Sequence, residues 1–333
     1  STPIKSSAAS DVYKRQILGA AFLFYAGYYL ITSIGIFKKR KKVTNNNDDK
    51  KNFFAVIIAA RNEENVIGKL IDSLKKQSYP SEYFDIYVIV NNCTDNTAIE
   101  AKKAGAKVIS CTEKVSTKGE VLKYTFDLFK DNNKIDAYAI FDADNIVHHD
   151  FLAKMNDMIN SGYSVAQGFR DTKNISDNWL TSSYAILYYF QSLFLNESRY
   201  NMGRSSFLNG TGFVIKKEVI DKHGFNPKTV TEDVEFTAMC AINNEKIGFA
   251  TDAITYDEQT NSFDVSWKQR KRWSFGTMEC LREYFPTLLK KGIKERNFEC
   301  FDVGLFYLSV ISHVVFNLLP IFLLINIIIH FDS

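Results

Sequence analysis

Three short stretches carry side chains that could do chemistry together: Asp142-Ala143-Asp144, Thr231-Glu232-Asp233 and Gln269-Arg270-Lys271-Arg272-Trp273. A carboxylate pair on a turn can take a hard divalent cation, Mg2+ or Mn2+, and through it hold a diphosphate. A second acidic pair at a helix start can supply a general base that removes a hydroxyl proton. Arg272 can pair bidentately with phosphate oxygens, and Gln269 lies one turn earlier on the same helical face. Trp273 adds a flat apolar platform for a pyranose ring. Each stretch has a plainer reading on its own. DxD strings occur by chance, acids often decorate helix N-termini, and a basic helix can rest on a membrane through Trp267 and Trp273.

The elements that must position these groups alternate strand and helix. Phe53–Ala60 is a continuous apolar run, as a strand buried on both faces requires. Asn62–Gln77 follows with Val66, Leu70, Ile71 and Leu74 at helical spacing. Strands are then expected at Asp85–Val90, Lys107–Ser110 and Ala137–Phe141, with helices at Asp95–Ala104 and Gly119–Phe129 between them. This order implies a mostly parallel α/β sheet, which binds ligands beyond the carboxyl ends of its strands. Arg61-Asn62-Glu63, Asn91–Asp95 and Asp142–Asp144 all fall at such ends. Further along, Thr231 is a candidate N-cap for a helix over Val234–Ile242, and Val265–Cys280 has helical spacing.

Composition bounds the rest. A hydrophobic content of 46% with 27 Phe and 17 Tyr is high for a soluble chain, yet the mean hydropathy is −0.17, so the apolar surplus is local. The net charge of +3, without a basic stripe or nucleic-acid motif, argues against nucleic acid as a partner. The 5 Cys lack CxxC or Cys/His spacing and read as reduced thiols facing the cytosol. Ile17–Phe37 carries no charge and is long enough to cross a hydrocarbon core of about 30 Å. The basic cluster Lys38–Lys42 directly after it places the following domain in the cytosol, with the protein integral to the plasma membrane. A second uncharged run, Val303–Ile329, suits one tilted span or a re-entrant pair. Residues 1–16 read as a disordered or non-native tail, 38–51 as a linker, 52–277 as the catalytic domain and 278–300 as an interfacial helical segment.

The runs VIIAARNEENVIGKLIDSLKKQSYP, VIVNNCTDNT, FDADN, NGTGFVIKKEV, TEDVEF and QRKRW together resemble the membrane-integrated family 2 glycosyltransferases, the class of cellulose, hyaluronan and poly-N-acetylglucosamine synthases. The resemblance covers roughly residues 52–300. It implies a GT-A fold, a nucleotide-sugar donor (usually a UDP-sugar), Mg2+ or Mn2+, inversion, and extension of a polysaccharide at a membrane. Carried onto this chain, it assigns Arg61, Glu63, Asn91, Asp95, Lys118 and Asp142 to the nucleotide sugar, joined by Gln269, Arg272 and Trp273. Asp142 and Asp144 take the metal, Asn209, Gly210, Thr211 and Trp273 the acceptor, and Asp233 with Glu232 the catalytic step. Asn91 stands where the family commonly has Asp, and Glu120–Lys123 depart from the usual pattern after Lys118-Gly119. No gating-loop motif like that of bacterial cellulose synthases is present. Two alternatives stay open: transfer of a single sugar to a lipid acceptor, and a catalytically weak binding subunit of a synthase complex. Membrane lipids and synthase or export subunits are the further partners expected.

Overall fold

The structure, a computed structural model, describes residues 3–40, 43 and 50–311. Its centre is an eight-stranded sheet in the order β3-β2-β1-β4-β7-β6-β8-β5. The strands are β1 (Phe54–Ala60), β2 (Phe84–Val90), β3 (Lys107–Ser110) and β4 (Ala137–Asp142), then β5 (Ile146–Val147), β6 (Val165–Thr172), β7 (Phe213–Lys216) and β8 (Ile247–Asp257). The helices used below are α1 (Pro3–Ser33), α2 (Ile67–Lys75), α3 (Thr97–Lys103), α4 (Lys118–Leu128), α5 (Phe151–Asn160) and α6 (Trp179–Phe190). They continue with α7 (Ser198–Asn201), α8 (Lys217–His223), α9 (Glu232–Ile242), α10 (Phe263–Lys294) and α11 (residues 298–311).

The N-terminal half of the sheet is parallel, as the alternating pattern predicts: β1 pairs in parallel with β2 and β4, and β2 with β3. The C-terminal half keeps one long parallel pair, β6 with β8, and adds antiparallel pairs to the mostly parallel sheet. There β7 runs antiparallel between β4 and β6, and β5 runs antiparallel to β8, so the whole sheet is mixed. The reason is local. Helices α6 and α7 intervene between β6 and β7, so β7 returns from the far end of the sheet and enters against its neighbours.

Both sheet faces are covered. Ile67, Leu70 and Leu74 of α2 and Phe151, Leu152 and Met155 of α5 pack on one face. Val121, Leu122 and Phe126 of α4, with Phe236 and Cys240 of α9, pack on the other. Side chains alternate across the pleat, so Phe54, Val56 and Ile58 enter the first cluster while Ala55 and Ile57 enter the second. That burial on both faces is why β1 reads as an unbroken apolar run.

The first helix of the domain begins at Ile67 instead of Asn62, because Asn62 has φ 59° and the Glu63 carbonyl accepts from Val66 and Ile67. Likewise α3 begins at Thr97, since Asp95 accepts from the Thr97 backbone N–H at 3.0 Å and is held in the loop. α4 opens with a capping box in which Thr117 and Glu120 exchange hydrogen bonds.

Helix α1 opens at Pro3, so residues 3–16, expected as a disordered or non-native tail, are helical. Within the first 37 residues, Gln16–Phe37 is long and apolar enough to cross a membrane, the one such segment among the described residues. It is tied to the rest of the chain by polar contacts. Tyr28 donates to Asp302 Oδ1 at 2.8 Å, Arg199 Nη2 donates to Tyr28 at 2.7 Å, and Ser198 Oγ donates to the Thr32 carbonyl at 2.5 Å. In the linker, Arg40 pairs with Glu197 at 2.7 Å.

Within 278–300, residues through Lys294 continue α10 and 298–300 open α11, with Cys280, Leu281, Tyr284 and Leu288 buried against α9 and α11. The Val303–Ile329 run lies mostly outside the described residues; its first part, through residue 311, is helical.

Candidate active site

The carboxyl end of the parallel half-sheet collects the charged groups. Asp142 ends β4, and β5 starts almost at once, pairing Ile146 with Tyr256 of β8. This tight return brings the DAD turn beside Asp257. Asn145 holds the turn: its Nδ2 donates to Asp144 at 3.2 Å and to Asp257 at 2.7 Å. Its Oδ1 accepts from the Asp142 N–H at 3.2 Å and from the Thr211 hydroxyl.

Lys118, at the start of α4, is the hub of the site. Its ammonium donates to Asp142 at 2.5 Å and to the Gly210 carbonyl at 2.6 Å, and lies 3.8 Å from Glu232. Burial alone would lower its pKa, but Asp142 and Glu232 outweigh that and hold it above the ordinary lysine value. Gly210 sits at φ 90°, where only glycine is comfortable, and a Cβ there would come 3.4 Å from Asp233 Oδ2. The Asn209–Thr211 loop therefore passes directly over the acid.

Asp233 lies in the first turn of α9. Burial raises its carboxyl above the ordinary aspartate range, with Lys118 and Arg170 pulling back. Glu232 is pushed up to about 7 by burial, against the pull of Lys118. The loop before α9 is rigidly built. Glu235 accepts from the Lys228 and Thr229 backbone N–H groups and from the hydroxyls of Thr229 and Tyr284. Gly276 of α10 packs against Thr231 so closely that a Cβ would fall 2.5 Å from the Thr231 side chain. Thr231 makes no side-chain cap of α9; its hydroxyl lies 3.7 Å from Cys280 Sγ instead.

A cavity of about 810 Å³ joins these parts. Lys118, Asp142, Asn209, Gly210, Glu232 and Asp233 line its polar end. Gln269, Arg272 and Trp273 reach it from α10, so most residues singled out from the sequence meet in one space. Trp273 packs edge-on against Tyr184 of α6 with ring centroids 6.2 Å apart. The far end is apolar, with Leu187, Phe190, Phe194, Leu195, Phe306 and Val310, and it reaches Tyr29 and Ser33 of α1.

Other expected residues line no part of this cavity. Arg61 is exposed at the end of β1. Asp95 ties two loops together, accepting from the Glu64 N–H at 3.1 Å and the Thr97 hydroxyl at 2.5 Å. Asn91 is buried and donates to the Val115 carbonyl at 3.4 Å, while its own Oδ1 is buried without a partner among the described residues. Thr211 braces the DAD turn from below, accepting the Asp142 N–H at 3.0 Å.

Asp144 has the chemistry of a cation ligand. Burial and the neighbouring Asp142, Asp257 and Glu63 push its carboxyl up to about 7. The carboxylates of Asp142, Asp257 and Glu63 converge on Asp144, and a hard divalent cation fits that donor set. Asp144 and Asp142 would hold it, and the bound ion would supply charge neutralisation to a diphosphate.

Three residues of the site escape sequence reading. Arg170 of β6 pairs with Asp257, donates to the Asn209 carbonyl at 2.7 Å and lies over the Tyr188 ring at 3.9 Å. Asn145 follows the DAD string directly, which was its only signal. Glu235, two residues after Asp233, gave none.

A Rossmann-like mixed sheet with paired carboxylates at its strand ends and a buried acid opening a neighbouring helix defines a GT-A type sugar transferase. The chain belongs to the glycosyltransferase like family 2, whose profile matches residues 51–276. It is 24% identical over 282 residues to the probable glycosyltransferase YdaM of Bacillus subtilis, covering 77% of this chain and 63% of that protein. It is 25% identical over 241 residues to the beta-monoglucosyldiacylglycerol synthase of Synechocystis, covering 68% of this chain and 48% of that one. The chain thus spans about half to under two thirds of the length of these relatives. Among solved structures, the mannosyltransferase PcManGT of Pyrobaculum calidifontis, in complex with GDP-Man and Mn2+, shares the fold with a TM-score of 0.62 at 15% identity, over 89% of this chain and 85% of that one. S. aureus TarS 1–349 in complex with UDP-GlcNAc matches with a TM-score of 0.55 at 16% identity, over 78% of this chain and 72% of that one.

Proposed function

We propose that this chain is an inverting, divalent-metal-dependent glycosyltransferase that moves one sugar from a nucleotide sugar, a UDP-sugar, to the hydroxyl of a lipid or lipid-linked acceptor at the cytosolic membrane face. The observation that carries the reading is the two-ended cavity. Its polar end holds Lys118, Asp142 and Asp233, and its apolar end is lined from α1, α6 and α11. An acceptor with an alkyl portion fits such a space, hydroxyl toward Asp233 and chain toward the anchor helix. The Synechocystis relative, named for a glucosyl lipid, points the same way.

In the step itself, the Asp233 carboxylate takes the acceptor hydroxyl proton. The freed oxygen forms a bond to the anomeric carbon from the face opposite the diphosphate. The bond to the diphosphate breaks, and its electron pair leaves with the nucleotide. One base and one stabilised leaving group suffice, which gives inversion. Lys118, held by Asp142, and Arg272 offer positive charge to the departing oxygens. Asp142 and Asp144 would hold Mg2+ or Mn2+, which would supply charge neutralisation to the leaving diphosphate; PcManGT is a fold neighbour seen with Mn2+.

Extension of a polysaccharide is the second reading, and the motif Gln269, Arg272 and Trp273 on the cavity wall favours it. A donor screen in membranes, with mass analysis of the product, tests both. A lipid carrying one added sugar supports the first reading and a product of increasing length the second. Failure to consume any nucleotide sugar with Mn2+ or Mg2+ present rejects both.

A further inference from the structure

Asp257 closes β8 and is only 3% exposed. Strand pairing fixes what lies on either side of it. The parallel register with β6 sets Thr172 opposite Asp257 and Arg170 opposite Thr255, so Arg170 and Asp257 share one face of the sheet. The antiparallel register with β5 pairs Ile146 with Tyr256 and brings Asn145 beside Asp257. Each carboxylate oxygen therefore has its own partner. Oδ1 accepts from Asn145 Nδ2 at 2.7 Å, and Oδ2 pairs with Arg170 Nε. Asp257 itself lines no part of the cavity.

The two partners lead to opposite sides of the site. Asn145 holds the DAD turn through Asp144 Oδ1 and the Asp142 N–H, both at 3.2 Å. Arg170 leads to the loop that passes over Asp233. Its Nη1 donates to the Asn209 carbonyl at 2.7 Å, and its guanidinium lies 3.9 Å from the Tyr188 ring centre. Lys118 bridges the same two segments from the cavity side, from Asp142 to the Gly210 carbonyl. That bridge draws on an Asp142 oxygen that a bound cation also needs. The tie through Asp257 takes no oxygen of Asp142.

We infer that Asp257 is a positioning residue for sugar transfer: one buried carboxylate sets the cation-holding turn with one oxygen and the loop over the base with the other. In-line displacement needs the diphosphate and the acceptor hydroxyl on opposite faces of one carbon. A misplacement of about 1 Å can cost about 10²-fold in rate. A common anchor beneath both segments fixes that spacing. Both of its oxygens are committed, so Asp257 is not itself offered to the cation. The inference rests on the cation site at Asp142 and Asp144 and on Asp233 as the base.

Variants of the full chain in detergent test it. Free Mn2+ is followed by its electron spin resonance signal, and amide hydrogen exchange is followed over residues 208–212. Asp257→Ala removes both acceptor oxygens at once. It should weaken Mn2+ binding by about 10–100-fold, the usual cost of losing a group that orients a metal ligand. It should also speed exchange over 208–212 by about tenfold, while β1 exchanges as in the parent. Arg170→Lys keeps a cation beside Asp257 but loses the fork to Asn209 and the flat face on Tyr188. It should speed exchange over 208–212 and leave Mn2+ affinity at the parent's value. Asp257→Ala leaves Arg170 buried and uncompensated. If that variant does not fold, Asp257→Leu with Arg170→Met removes both charges and should show both effects. Either effect without the other on loss of Asp257 overturns the inference; loss of Mn2+ alone would make Asp257 a cation ligand. Faster exchange over β1 as well overturns it by reducing Asp257 to a fold contact. So does an Arg170→Lys variant that loses as much Mn2+ affinity as Asp257→Ala. A parent that binds no Mn2+ rejects the cation reading and the inference with it, a failure visible in the parent alone.

Discussion

At one end of the cavity Lys118 is fixed by Asp142 at 2.5 Å and by the Gly210 carbonyl at 2.6 Å, whereas at the other Phe190 and Phe194 stack with ring centroids 5.0 Å apart and Phe207 and Phe306 at 4.4 Å. Contacts of the first kind depend on direction and charge, and each is shared among segments far apart in the chain. Contacts of the second kind depend on area and tolerate exchange among apolar residues. A substitution at the polar end should therefore act on the chemical step, and one at the apolar end on acceptor affinity. Separate readouts for kcat and KM test that division.

The largest effect is expected at the base. Asp233→Asn keeps the shape and removes the proton acceptor, so kcat should fall about 10³-fold with nucleotide-sugar binding nearly unchanged. Burial raises the Asp233 carboxyl above the ordinary aspartate range. Because the base must be deprotonated, the parent's rate should climb with pH along an acid limb displaced upward, and Asp233→Asn should flatten that limb. Loss of donor binding in this variant would give Asp233 another role and erase the distinction between the ends. Next comes Lys118→Met. It strips Asp142 and the Gly210 carbonyl of their shared donor and leaves Glu232 without its nearest cation. A fall in kcat of about 10²-fold is expected, and the variant should also weaken nucleotide diphosphate binding in a titration.

At the apolar end the expected effect is smaller and of another kind. Phe194→Ala with Phe306→Ala removes two aromatic faces from the cavity wall. KM for a long-chain acceptor should rise about tenfold while kcat holds, since the two partly used ring faces together contribute roughly 1–2 kcal/mol of apolar contact. A short-chain, water-soluble acceptor should show no change in KM. Equal losses on both acceptors would mean that the apolar end shapes the catalytic end and does not simply bind a chain.

The polar end was the more legible in the sequence, for a physical reason. Catalytic groups sit at strand ends, and strands buried on both faces announce themselves as unbroken apolar runs such as Phe54–Ala60. Asp142 could thus be placed by type and position, whereas Asp233 and Gln269 were placed by a helix start and by helical spacing. Arg170 could not, because its partners Asp257, Asn209 and Tyr188 come from three segments that only the mixed half of the sheet brings together. The same holds for β7, whose antiparallel course follows from the helices before it and not from its own four residues. The 278–300 stretch shows the limit from the other side. Its apolar and basic residues suit a membrane surface by composition, yet Leu281, Tyr284 and Leu288 turn inward onto α9 and α11.

One contact crosses between the two ends and gives the smallest expected effect. Tyr307, on α11 beside the apolar wall, donates its hydroxyl to the carbonyl of Val234, the residue directly after Asp233. That bond fixes the first turn of α9 from the anchor side. It is also the shortest route by which the position of α11 can reach the base. Tyr307→Phe keeps the ring and its packing and removes only the donor. A net hydrogen bond contributes about 1 kcal/mol, so kcat should fall about threefold to fivefold. If the bond only stabilised the fold, the melting temperature would drop while kcat and its pH profile stayed put. If it positions the base, kcat falls on long- and short-chain acceptors alike with KM unchanged. This outcome would make the division between the ends one of contact type, with α11 serving both.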